Sequence, residues 1–161
     1  EYGKLIARKG HEIGNHTLTH PHLNNLTGEE IRVELKRVEQ MIEQVSGQKT
    51  TLFRPPFGEY SNQVIETASG LGYKTIQWSI DSLDWQNLTK EEIVERVTSR
   101  AHKGAIILFH NNGLYTADAL PEIIAYYRRH NYTIVPVSEL LYDDDYYIDP
   151  NSGAQIKNKK R

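Results

Sequence analysis

The chain has 161 residues, a formal net charge of −2, an apolar fraction of 38% and no cysteine. That length suits one domain with a substantial core, and so small a net charge gives no reason to expect nucleic acid as a partner. Without cysteine there are no disulfides and no thiolate metal ligands, and no apolar run approaches the roughly 20 residues that a membrane-spanning segment needs.

The elements follow in order. Residues 1–10 have the apolar spacing of a helix already under way (Tyr2, Leu5, Ile6), with Gly10 suited to its cap. The chain has no initiator methionine and no basic, apolar leader, so the expectation is the later part of a longer protein. "HEIGNH" (11–16) reads as a short strand and its exit. Residues 27–47 are the clearest helix: Thr27 and Glu30 make a capping box, Ile31, Leu35, Val38, Ile42 and Val45 one stripe, and Gly47 the stop. A brief strand over 51–53 precedes a helix over 61–72 capped by Ser61. The β-branched and aromatic run 73–80 predicts a strand, and Thr89 caps the next helix. "AIILF" (105–109) has the unbroken apolar character of a strand buried on both faces. A helix over 117–131 and a last strand over 133–137 complete a fivefold alternation. This is the pattern of a parallel α/β sheet, open or closed into a barrel. Residues 143–161 turn acidic and then basic without apolar period, which predicts a disordered tail behind a domain spanning 1–142.

Parallel α/β folds present their chemistry where strands end. The first predicted exit carries His16 and His20, the second Arg54 to Gly58, the third Asp81, Asp84 and Trp85, and the fourth His110. All four are expected on one rim. The His16/His20 pair is spaced so that one helical turn would aim both imidazoles at one cation, although two solvated loop histidines would look the same. His22 would point away from that face, and His11 is read as a bystander. Arg54 before two prolines is either a rigid strand end or a guanidinium fixed for a buried carboxylate. Asp81 and Asp84 either cap a turn or supply one partner that orients His110 as a general acid.

These residues, in this order, resemble the polysaccharide deacetylases of carbohydrate esterase family 4, the NodB-homology domain. Its His-Ser/Thr-x-x-His motif is "HTLTH" (16–20), its Arg-Pro-Pro-aromatic-Gly motif "RPPFG" (54–58), its Asp-x-x-Asp-Trp motif "DSLDW" (81–85) and its Leu-x-His motif "LFH" (108–110). The resemblance spans about residues 1 to 141. It implies an incomplete, distorted (β/α) barrel and metal-dependent deacetylation of a polysaccharide such as peptidoglycan, chitin oligomers or acetylated xylan. By the same resemblance His16 and His20 hold a divalent metal, most often zinc. Arg54 orients the catalytic aspartate, and the Phe57 backbone N–H helps bind the oxyanion. Asp84 tunes His110, the general acid, while Trp85 and Leu108 line the groove and the acetyl pocket. An extracellular or cell-wall location follows from such substrates.

One motif is missing. The family's Thr-Phe-Asp-Asp-Gly, source of the general base and the third metal ligand, does not occur in these 161 residues. It is expected upstream, and this polypeptide alone is expected to be inactive. The alternative is a non-catalytic carbohydrate-binding relative that lacks the base altogether.

Overall fold

Three helices begin where their capping chemistry puts them, in a computed structural model that describes residues 1–149 and 151–159. Pro150, Lys160 and Arg161, all within the expected tail, lie outside the described residues. The chain divides into two units, residues 1–77 and residues 78–161.

In the first unit, α1 (Tyr2–Arg8) and α2 (Gly28–Ser46) are followed by β1 (Leu52–Phe53), α3 (Asn62–Gly70) and β2 (Lys74–Thr75). The Thr27 hydroxyl accepts from the Glu30 N–H, and the Glu30 carboxylate accepts from the Thr27 N–H at 2.7 Å, closing the expected capping box. At α3 the Ser61 hydroxyl accepts from the Val64 N–H. Strands β1 and β2 pair in parallel across α3, with Leu52 opposite Lys74 and Phe53 opposite Thr75. The strand expected at 11–16 is reduced to a single parallel bridge between Asn15 and Phe53. Leu23, Ile31, Leu35, Phe53, Val64, Ala68 and Tyr73 form the core of this unit. Burial fades along α2: Ile31 and Leu35 are fully covered, whereas Val45 is exposed. On α1 the side chains of Tyr2, Leu5 and Ile6 are also exposed.

The second unit repeats the strand–helix–strand plan with β3 (Ile80–Asp81), α4 (Lys90–Thr98) and β4 (Ile107–Leu108), and then adds α5 (Thr116–Arg129) and a short α6 (Val137–Leu140). Thr89 and Glu92 make a second capping box at the start of α4. Strands β3 and β4 are parallel, with Ile80 opposite Ile107 and Asp81 opposite Leu108. Ile80, Ile93, Val97, Ala119, Ile123 and Tyr127 pack together as this unit's core.

Three expectations need correction. The single strand predicted over 73–80 is broken, because the chain changes partners. The Ile76 N–H donates to the Phe53 carbonyl, and three residues later the Ser79 N–H donates to Ile106. "TIVPV" (133–137) forms no strand among the described residues. Pro136 has no N–H to give a ladder, Ile134 lies exposed, and Val137 instead opens α6. The segment expected as a disordered tail carries an antiparallel hairpin, β5 (Tyr146–Ile148) with β6 (Gln155–Lys157). Its turn is set by Asp149, whose carboxylate accepts from the N–H groups of Asn151 and Ser152. The described strands pair two by two, and none closes a barrel.

Candidate active site

The histidine pair is built outward from a buried asparagine. Asn15 is fully enclosed and bonds on every side: its amide donates to the Leu35 carbonyl (2.8 Å) and the Tyr73 hydroxyl (3.0 Å), and its side-chain oxygen accepts from the Thr17 N–H (3.0 Å). Its backbone is clamped too, donating to Leu52 at 2.8 Å and accepting from the Arg54 N–H at 2.9 Å. His16 thus leaves a fixed point. Its Nδ1 lies 2.6 Å from the Arg54 carbonyl oxygen. A carbonyl can only accept, so Nδ1 carries the hydrogen and the neutral ring keeps a lone pair on Nε2.

The helical turn suggested by the His16/His20 spacing does not form. Residues 17–20 are a loop in which Thr17 (φ 66°) and His20 (φ 56°) both adopt left-handed backbone. Each such residue without glycine costs on the order of 1 kcal/mol. The loop still brings the rings together, with centroids 5.0 Å apart and edge-on. His20 also meets Phe57 edge-to-face at 4.6 Å.

"RPPFG" supplies the next wall. Pro55 and Pro56 are buried, and the turn they start leaves Phe57 (φ 58°) and Gly58 (φ 68°) left-handed in succession. The Gln77 amide donates to the Gly58 carbonyl at 3.0 Å and holds the turn from below. Phe57 is 54% exposed, an unusual fate for phenylalanine. His22 stacks on it at 4.1 Å and 11° and bonds Glu59 at 2.8 Å, so a residue expected to point away from the pair braces the aromatic wall. Arg54 is half-buried, and that burial pushes its guanidinium below its ordinary pKa.

In the second unit the two aspartates of "DSLDW" take different jobs. The Asp81 carboxylate accepts from the Leu83 N–H (2.9 Å) and shapes the turn. Asp84 has its side chain wholly buried against His110, with Oδ1 2.8 Å from the His110 Nδ1. Its other oxygen accepts from the His110 N–H (2.8 Å) and the Thr116 hydroxyl (2.6 Å). Burial alone would raise this carboxyl, but the bonds from His110, Thr116 and Ser82 together hold it below its ordinary value. Asp84 is therefore a buried, ionised acceptor, and it fixes the His110 tautomer with the hydrogen on Nδ1. Gly113 is required beside it, since a Cβ there would fall 2.6 Å from the carboxylate. Trp85 is 48% exposed with its ring centroid 6.5 Å from that of His110, while Leu108 lies buried on β4.

The sequence reading missed several supporting residues. Thr116 stands at the first position of a helix, where it passes for an ordinary capping residue. Asn15 and Glu34 carry no local signature at all. As metal donors, the two imidazoles suit a first-row divalent cation, and the His16 link to a backbone carbonyl is the orienting bond such ligands ordinarily have. They are a pair and no more: among the described residues no group of three or more His, Cys, Asp or Glu side chains is placed to hold a metal.

Parallel strand–helix–strand units with histidines at their exits define an α/β class of fold, and comparison with known proteins makes the class specific. The family model described as polysaccharide deacetylase matches residues 1–76. A peptidoglycan-N-acetylglucosamine deacetylase of Bacillus cereus is 36% identical over 143 residues, 86% of this chain and 67% of that one. The peptidoglycan-N-acetylmuramic acid deacetylase PdaA of Bacillus subtilis is 32% identical, over 88% of this chain and 56% of its own length. Among solved structures, a family 4 carbohydrate esterase pseudoenzyme from Bacillus anthracis superposes with a TM-score of 0.83 at 33% identity, covering 86% of this chain and 49% of that one. The chain belongs to the polysaccharide deacetylases of carbohydrate esterase family 4. It spans about half the length of the curated relatives it matches first.

Proposed function

We propose that this chain is part of a metal-dependent deacetylase that hydrolyses N- or O-acetyl groups on a polysaccharide, with peptidoglycan, chitin oligomers and acetylated xylan as the candidate substrates. The observation that carries this reading is the buried Asp84 carboxylate holding His110 by both its backbone and its ring. Three donors around one enclosed carboxylate, two of them from His110 itself, fix the direction of the imidazole.

His16 and His20 are the proposed ligands of a divalent cation, zinc by preference, with an aspartate from outside these residues as the third. Bound there, a divalent cation supplies Lewis-acid polarisation of the acetyl carbonyl. The Phe57 N–H donates to the developing oxyanion, and Arg54 orients the aspartate that acts as base. Water deprotonated by that aspartate adds to the acetyl carbon. His110, acting as the imidazolium with a hydrogen on each nitrogen, gives its Nε2 proton to the departing amine or alcohol as the acyl bond breaks, while ionised Asp84 keeps the ring in place. Trp85 stacks on a sugar ring, and Leu108 backs the acetyl methyl. Polymers of this kind place the protein outside the cell or at its wall.

A second reading, a carbohydrate-binding relative without catalysis, is favoured by the likeness to a pseudoenzyme. A deacetylase assay on the full-length protein separates the two. The enzyme reading expects activity that a chelator abolishes, that zinc restores and that the His16→Ala/His20→Ala variant lacks. Binding of the polysaccharide without turnover supports the second reading. Activity indifferent to chelator, or intact in the variant, overturns the metal mechanism.

A further inference from the structure

The loop that carries His20 is held by a residue outside every motif. Glu34 lies on α2, one residue before the buried Leu35, and turns its carboxylate toward residues 18 and 19. Its Oε2 accepts from the N–H groups of both Leu18 and Thr19, each at 2.8 Å, and its Oε1 accepts from the Thr19 hydroxyl at 2.9 Å. Two consecutive amides pointing at one oxygen are the product of a sharply turned backbone. Here the turn is bounded by the left-handed residues Thr17 and His20. Bonds to an ionised acceptor are about twice as strong as neutral ones, so this carboxylate is well suited to sustain a conformation that the residues themselves disfavour.

The need for such a clamp follows from the contrast between the two histidines. The His16 ring is bonded directly to the Arg54 carbonyl. His20 has no hydrogen bond to either ring nitrogen among the described residues, and its ring meets those of His16 and Phe57 edge-to-face. Its direction is set by its backbone. That backbone is tied at the His20 N–H to the Thr17 hydroxyl at 3.2 Å, and at the two preceding residues to Glu34.

We infer that Glu34 is a positioning residue for the metal pair: it fixes the 17–20 loop so that the His20 imidazole faces the same point as His16. The inference rests on the metal reading for its consequence, but its geometry stands apart from it. Zinc alone is the probe, titrated calorimetrically into the full-length protein and into its Glu34→Ala, Glu34→Gln and His16→Ala/His20→Ala variants. Amide exchange at Leu18 and Thr19 and the ring-to-ring nuclear Overhauser contact between His20 and Phe57 are recorded in parallel. Glu34→Ala should speed exchange at both amides, lose the His20–Phe57 contact and weaken zinc about tenfold or more, the range expected on removing an orienting partner. Glu34→Gln keeps an acceptor oxygen for the two amides and should restore most of that loss, which a merely damaged fold would not do. If the wild-type chain takes zinc no better than the double-histidine variant, the metal reading fails, and the ring contact alone then decides the clamp. Wild-type exchange with the contact intact in Glu34→Ala overturns the inference. So does unchanged zinc affinity in a chain that binds zinc.

Discussion

Thr116 shows how much a single hydroxyl can matter when its partner is a buried charge. It donates to the same Asp84 oxygen that receives the His110 N–H. Thr116→Val keeps the shape and removes the donor, which should cost about 1–3 kcal/mol in urea denaturation at neutral pH. Because the fold holds the Asp84 carboxyl below its ordinary value, its contribution to stability is complete above the ordinary carboxylate range. That contribution is lost as pH falls through the depressed value. The gap between wild type and variant should therefore be widest near neutrality and should close in acid; a gap independent of pH would mean that Thr116 acts by packing. The motif residues were legible in the sequence because their spacing is fixed by strand exits. Thr116, Asn15 and Glu34 were not. Their partners lie 32, 58 and 16 positions away, and no local pattern encodes a contact of that separation.

Among the elements, legibility followed the range of the forces. The helices at 28–46, 62–70 and 116–129 came through within a residue or two because caps and apolar stripes act over one or two turns, whereas the helix begun at Lys90 stops at Thr98, six residues short of the run 90–104 that its sequence suggests. Strands fared worse. Ile76 and Ser79 belong to one β-prone run yet pair with different partners, and "TIVPV" has propensity without a neighbour to pair with. β-propensity expresses fit to a partner surface, which a run of residues cannot reveal by itself. The capping boxes also give a measurable expectation: Thr89→Ala removes the acceptor for the Glu92 N–H at the head of α4. Thermal unfolding should fall by roughly 2–4 °C for a loss of about 1 kcal/mol. An unchanged midpoint would mean that the helix start is held by tertiary packing alone.

For the molecule as a whole, the uneven covering of its apolar surface stands out against a near-neutral charge. Leu5 and Ile6 of α1 are 42% and 43% exposed, and Val45 of α2 lies open as well. Side chains so exposed contribute little to the folded state, and isolated surface changes of this kind fall within about 0.5 kcal/mol. The Leu5→Gln/Ile6→Gln variant should unfold at the temperature of the parent chain and bind less of a hydrophobic dye. A marked loss of stability would instead mean that these side chains are covered in solution.

The short link from the His16 ring to the Arg54 carbonyl has a consequence of a different kind. It runs through the main chain of residue 54, so it is indifferent to which side chain that residue bears. Exchanging the guanidinium for another group leaves the tautomer of the ring untouched. The two nitrogens of a 15N-labelled His16 are accordingly unlike, one pyrrole-like and one pyridine-like. Their spectrum is a record, written before any ligand arrives, of which nitrogen carries the hydrogen.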